Sequence, residues 1–205
     1  MLRKLGDVDT GHDGHALLEL AKASVTLGEF SRGLEEAEAA RHAFSETLGA
    51  DHPYVWFPNF TAARAEQGLG RSTTAQQRIA ATMQHYREQD DPSMQLRVLQ
   101  VQTELALDAG EIGLAAESTQ QAAPLLHVLP ENSLSRHWSE ALQAATELMQ
   151  PSRQAPPDPQ RAAFAQRTLQ RAANALSSAL GEHHSRVQRI RRWMALAAPP
   201  AKRST

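Results

Sequence analysis

Cysteine is absent from the 205 residues. Disulfides and thiolate metal sites are therefore excluded, and cysteine usage says nothing of the redox compartment. Aromatic residues make up only 5% of the chain, and the 41% hydrophobic content is modest, with alanine supplying much of it. Alanine-rich interiors suit closely packed helices, because a small side chain lets two backbones approach. A β-sandwich or an α/β enzyme needs more Val, Ile, Phe and Gly. No run approaches the roughly 18 apolar residues needed to cross a bilayer. The first 15 residues hold two basic side chains with no apolar stretch behind them, so no secretion signal is read there. The expectation is an all-α, cytoplasmic chain without a membrane partner, long enough for one domain or two small ones.

The net charge of −2 conceals an asymmetry. Residues 151–205 carry ten Arg/Lys against Asp158 and Glu182, a net of +8, while residues 1–150 carry a net of −10. Such a split can steer partners or let one part of a molecule dock on another.

Hydrophobic spacing predicts nine helices. Leu17, Leu20, Ala21, Ser24 and Leu27 line one face of a first helix from Gly14. Gly28 ends it as a C-cap. A second helix spans residues 29–48, with Phe30, Gly33, Ala37, Ala40 and Phe44 inward and Glu35, Glu36 and Glu38 solvated. Asp51 is the expected cap of the third, residues 54–69, with a late start or kink at Pro58. Further helices are predicted to residue 89, over 93–109, and over 111–128 with a kink at Pro124. The last three are predicted over 134–149, 160–180 and 184–197. Residues 1–13 are read as a disordered leader, 14–150 as repeats, and 151–159 as a proline-rich connector. Residues 160–198 then form a degenerate repeat with a capping helix, whose Arg186, Arg189, Arg191 and Arg192 are expected in solvent with Val187, Ile190 and Met194 inward, and 199–205 a disordered tail.

Three glycine turns recur, at Gly28, Gly70 and Gly110, 42 and 40 residues apart. Five residues after each stands Gly33, Ala75 or Ala115, and seven further on Ala40, Thr82 or Ala122. Seven before each lie Ala21, Ala63 and Thr103. Small side chains at fixed offsets are what crossing helices need, and hairpins that cannot bury a face alone must stack.

This pattern resembles the tetratricopeptide repeat (TPR), in the longer-helix form of kinesin light chains. The most specific mark is Leu48-Gly49-Ala50-Asp51-His52-Pro53, similar to that subfamily's Leu-Gly-x-x-His-Pro loop, with Leu180-Gly181-Glu182-His183-His184-Ser185 as a degraded second copy. The aromatic usual at the start of the second helix is present only as Phe30, and the asparagine frequent on the first is Glu19, Thr61 and Val101. The resemblance implies a right-handed superhelix of about four hairpins, acting as a non-enzymatic scaffold. It also implies an origin as the C-terminal part of a larger regulatory protein, Leu5-Gly6-Asp7 being read as the remnant of a preceding loop.

The resemblance further implies that first helices line a concave groove that binds a peptide or protein. The groove positions are then Lys22, Phe57, Phe60, Arg64, Gln67, Arg97, Gln100 and Glu104, with Lys22, Arg64 and Arg97 as a cationic ladder for carboxylates. Tyr54, Trp56, Phe57 and Phe60 are expected in the core, with Trp56 or Phe57 partly exposed. His12 and His15 with Asp9 and Asp13, and the pair His183-His184, are not read as metal sites. No cofactor is expected, and no catalytic constellation is recognisable. The alternative class is a nucleic-acid-associated regulator using Arg161, Arg167, Arg171, Arg186, Arg189 and Arg192 beside Trp193.

Overall fold

The structure is a computed structural model that describes residues 10–150 and 159–196, with side chains from residue 13 onward. The described residues form nine α-helices and no strand. The first four are α1 (Thr10–Thr26), α2 (Phe30–Leu48), α3 (Pro58–Gly68) and α4 (Ser72–Glu88). The others are α5 (Pro92–Ala109), α6 (Ile112–Ala122), α7 (Leu134–Met149), α8 (Pro159–Leu180) and α9 (Ser185–Leu196). Two 3₁₀ segments, Pro53–Trp56 and Ala123–Val128, stand where the sequence predicts that Pro58 and Pro124 disturb the helical pattern. Proline lacks the N–H that an α-helix interior requires. The first helix opens at Thr10, inside the stretch that composition reads as a leader. Residues 1–9, 151–158 and 197–205 lie outside the described residues, and with them Leu5-Gly6-Asp7, most of the connector and the tail.

The chain divides into two compact units at Asp91–Pro92. In the first, α1 pairs with α2 and α3 with α4, while α3 also packs on α2 and α1. In the second, α5 pairs with α6 and α7 with α8, and α9 lies against α8 and α7. The main division therefore falls well before the proline-rich connector. Trp138, Leu142 and Ala145 of α7 share one core with Ala165, Leu169, Ala172 and Leu176 of α8. That shared apolar burial holds the two sides of the connector in one unit.

Each hairpin turn is built the same way. Gly28, Gly70 and Gly110 have φ of 82°, 76° and 74°, a region that only glycine enters without crowding a Cβ. The next amide reaches back to close the turn: Glu29 N–H donates to the Ser24 carbonyl at 2.9 Å, Arg71 to Glu66 at 2.8 Å and Glu111 to Ala106 at 2.8 Å. This is the Schellman geometry, which satisfies carbonyls that the helix end leaves open. All nine small residues at the repeating offsets are buried. Gly33 shows why: a Cβ there would lie 2.7 Å from Val25 Cγ2, so α1 and α2 meet backbone to side chain.

The two Leu-Gly loops are also alike. Gly49 and Gly181 both have φ of 90°. His52 and His184 each donate the backbone N–H to the carbonyl of that glycine at 3.2 Å. The imidazole Nδ1 of each then accepts from the N–H two residues on, Tyr54 or Arg186, again at 3.2 Å. The cap is thus histidine rather than Asp51, because the tight turn after glycine aims the His side chain at the open amides.

Candidate functional site

The first unit contains a cleft of about 500 Å³ between α2 and α4, floored by the 3₁₀ segment and the start of α3. Glu38, Arg41 and Ser45 line one wall, and Thr74, Gln77, Arg78 and Ala81 the other. Both sets recur at three- and four-residue spacing, so each is a single helix face. Ala50, Val55, Trp56 and Asn59 complete the lining.

Arg78 organises the polar end. Its Nε and Nη2 donate to the two oxygens of buried Glu66, at 3.0 and 2.7 Å, and Nη1 reaches Asn59 Oδ1 at 3.2 Å and Glu38 Oε1 at 2.7 Å. Asn59 in turn donates to Thr82 Oγ1 at 3.0 Å. A carboxylate buried like Glu66 is tolerable only with such a two-pronged partner. The second oxygen of Glu38 accepts from Arg41 Nε at 2.9 Å. Burial alone would raise the Glu38 carboxyl, but the bonds and charges of Arg41 and Arg78 outweigh it and hold it below the usual glutamate range.

The aromatic cluster feeds the same floor. Val55 and Phe60 are buried, Trp56 and Phe57 half-buried, and the exposed ring is Tyr54 rather than Trp56 or Phe57. Trp56 lies flat on His85, with centroids 4.3 Å apart, and its buried Nε1 has no hydrogen-bond partner among the described residues. Tyr54 packs its ring against His15, Phe44 and Phe57 while staying exposed.

The eight groove positions separate on burial. Phe60, Gln100 and Glu104 are buried and do not reach solvent as a groove lining would. Phe60 packs beside Phe57, with ring centroids 6.5 Å apart. Gln100 donates to the Ser139 hydroxyl at 2.7 Å and the Ser135 carbonyl at 3.1 Å, tying α5 to α7. Glu104 pairs with Arg189 of α9 at 2.5 Å. Helical spacing puts Gln100 and Glu104 on one face of α5, but that face turns inward where α7 and α9 cover it. Lys22 is exposed and pairs with Glu19 at 2.6 Å; Arg97 is also exposed. Phe57, Arg64 and Gln67 are half-buried, and Arg64 donates to the Phe60 carbonyl at 3.2 Å.

Four arginines of α8 and α9 are engaged within the second unit, whereas Arg161, Arg167 and Arg192 are exposed. Arg189 bridges Glu104 and Asp108, the latter at 2.7 Å, and Arg171 meets Glu140 at 3.0 Å. Arg191 pairs with Glu182, and Arg186 lies 5.0 Å from the Trp138 ring centre. Trp193, which the nucleic-acid alternative needs at the surface, is buried and stacked on Trp138 at 5.5 Å. The helical pattern puts Arg189 in solvent, whereas its side chain is mostly covered. No group of three metal-ligating side chains occurs among the described residues. His15 packs on Phe44, while the side chain of His12 and all of Asp9 lie outside the described residues. No described helix is long and apolar enough to cross a membrane.

Helix pairs closed by left-handed glycine turns, with small residues at their crossings, define an all-α helical repeat of the TPR-like type. The solved structures that share that fold include two of one protein. Both are of a Podosopora anserina protein assigned as a kinesin light chain with nearly identical TPR-like repeats, one of them a point variant. The variant is 17% identical to this chain and the other 18%, each at a TM-score of 0.59, over 93% of this chain and 87% of theirs. At that identity the likeness is one of fold. No family profile and no curated protein matches the sequence.

Proposed function

We propose that this chain is a non-enzymatic protein–protein interaction module that holds a peptide or protein on side chains of its first helices. The TPR-like fold carries this reading: stacked hairpins use their small residues against one another and present the remaining side chains over an extended surface. Lys22, Phe57, Arg64 and Gln67 are the binding residues proposed in the first unit, and Arg97 is proposed by itself in the second. The setting is a cytoplasmic signalling or regulatory protein of which the chain forms a part. The engagement of Arg171, Arg186, Arg189 and Arg191 inside the second unit favours a protein over a nucleic-acid partner. Affinity capture from the native cell tests it, using the wild-type chain and a Lys22→Glu/Arg64→Glu/Arg97→Glu variant. One protein enriched by the wild type should fall at least roughly tenfold with the variant, the effect of losing charge-assisted contacts. Equal capture by both chains, or enrichment of nucleic acid, would overturn the proposal.

A further inference from the structure

We propose that the cleft between α2 and α4 is a separate ligand site that takes a small organic carboxylate with an apolar body. Its walls come from the second helices of the first two hairpins, whereas the interaction surface proposed above uses the first helices. Its volume of about 500 Å³ falls within the range of small-molecule sites, roughly 300–1,000 Å³.

The hydrogen-bonding capacity left over in the cleft sets the chemistry. Both oxygens of Glu66 are taken by Arg78, and the oxygens of Glu38 are divided between Arg78 and Arg41. The two carboxylates therefore have guanidinium partners. Arg41 uses only Nε, so its two terminal nitrogens have no partner among the described residues, and neither do the side chains of Ser45, Thr74 and Gln77. A guanidinium edge of two parallel N–H groups matches a carboxylate, with hydroxyl and amide donors nearby to share its lone pairs. Ala50, Val55, Trp56 and Ala81 offer apolar surface in the same cleft.

The size of the cleft also favours a compact ligand. About 500 Å³ holds one small molecule, whereas an extended peptide would run beyond its walls. A compact ligand with one anionic group and one apolar body stays within them.

The test titrates the full chain with hexanoate, hexanamide and acetyl-Leu-Glu-Leu-amide, followed by proton–nitrogen NMR of the Trp56 indole and the Arg41 side chain. Hexanoate should shift both saturably, with hexanamide at least roughly tenfold weaker, as loss of a charge-assisted pair requires. Arg41→Gln should weaken hexanoate at least about fivefold for the same reason. Ala81→Trp, which fills an exposed position of the α4 wall, should abolish the shifts while circular dichroism shows both variants folded. Equal binding of acid and amide, insensitivity to Arg41→Gln, or binding by the peptide alone would overturn the proposal. Because Lys22, Arg64 and Arg97 are untouched in these variants, such a failure would leave the interaction-module reading standing.

Discussion

A histidine placed three residues after a left-handed glycine closes both Leu-Gly loops, at His52 and at His184. The cap works only while Nδ1 carries a lone pair, so it requires the neutral ring. At His184, burial and then the charge of Arg186 push the imidazole below its usual 6.5. A depressed folded-state value means that this stabilisation is present above 6.5 and is lost as pH falls through the lowered value. Asp108, elsewhere in the same unit, acts in the opposite sense. Burial raises its carboxyl despite Arg189, so its contribution is present below 3.8 and lost as pH rises through the raised value. An NMR titration should place the His184 midpoint below 6.5. Arg186→Gln should move it up only part of the way, since burial is the larger cause. A midpoint at or above 6.5 would remove the neutral-cap account. The loop itself is legible in the sequence as Leu-Gly-x-x-His, but which residue caps is not. Asp51 is the better capping type by preference, yet the turn geometry after Gly49 brings His52 to the amide instead.

Helix α9 shows what pairing does for an element. Val187, Ile190 and Trp193 fill its inner face, and spacing identifies the first two. The arginines of its other side read from sequence as a solvated basic face. Arg189 instead reaches across to α5, where Glu104 is 2% exposed and Asp108 stands one turn on. Removing the guanidinium leaves a carboxylate buried without its main compensation, which costs about 3–5 kcal/mol. Arg189→Met should therefore lower unfolding stability by about that amount in urea. Pairing it with Glu104→Gln should recover much of the loss, because the uncompensated charge is gone. Additive losses in the double variant would count against the bridge. The family resemblance puts Gln100 and Glu104 in a groove, and spacing puts Arg189 in solvent, without regard to what packs on those faces. Periodicity gives the face of a helix, but only the neighbouring helices determine whether that face is covered.

At the scale of the whole chain, helices within each unit pack chiefly on those next to them in sequence. Local contacts carry little loop-closure cost, so folding of such chains is fast, on the microsecond-to-millisecond scale. Stopped-flow tryptophan fluorescence should show a main refolding phase of about milliseconds or less, followed by minor phases of about 10–100 s from the isomerisation of prolines. A dominant phase of seconds insensitive to a prolyl isomerase would contradict this. The all-α class, the glycine turns, the nine buried small positions and the TPR-like resemblance are legible in the sequence, because each is a local rule repeated at fixed offsets. Glycine alone relaxes into the left-handed turn, and only small residues let helices cross closely. The division at Asp91–Pro92, the cleft beside Arg41 and the bridge of Arg189 came only with tertiary structure. Each depends on which side chains from distant positions share a surface, and burial, not residue type, then decides whether a charge is a ligand, a clasp or a solvated face.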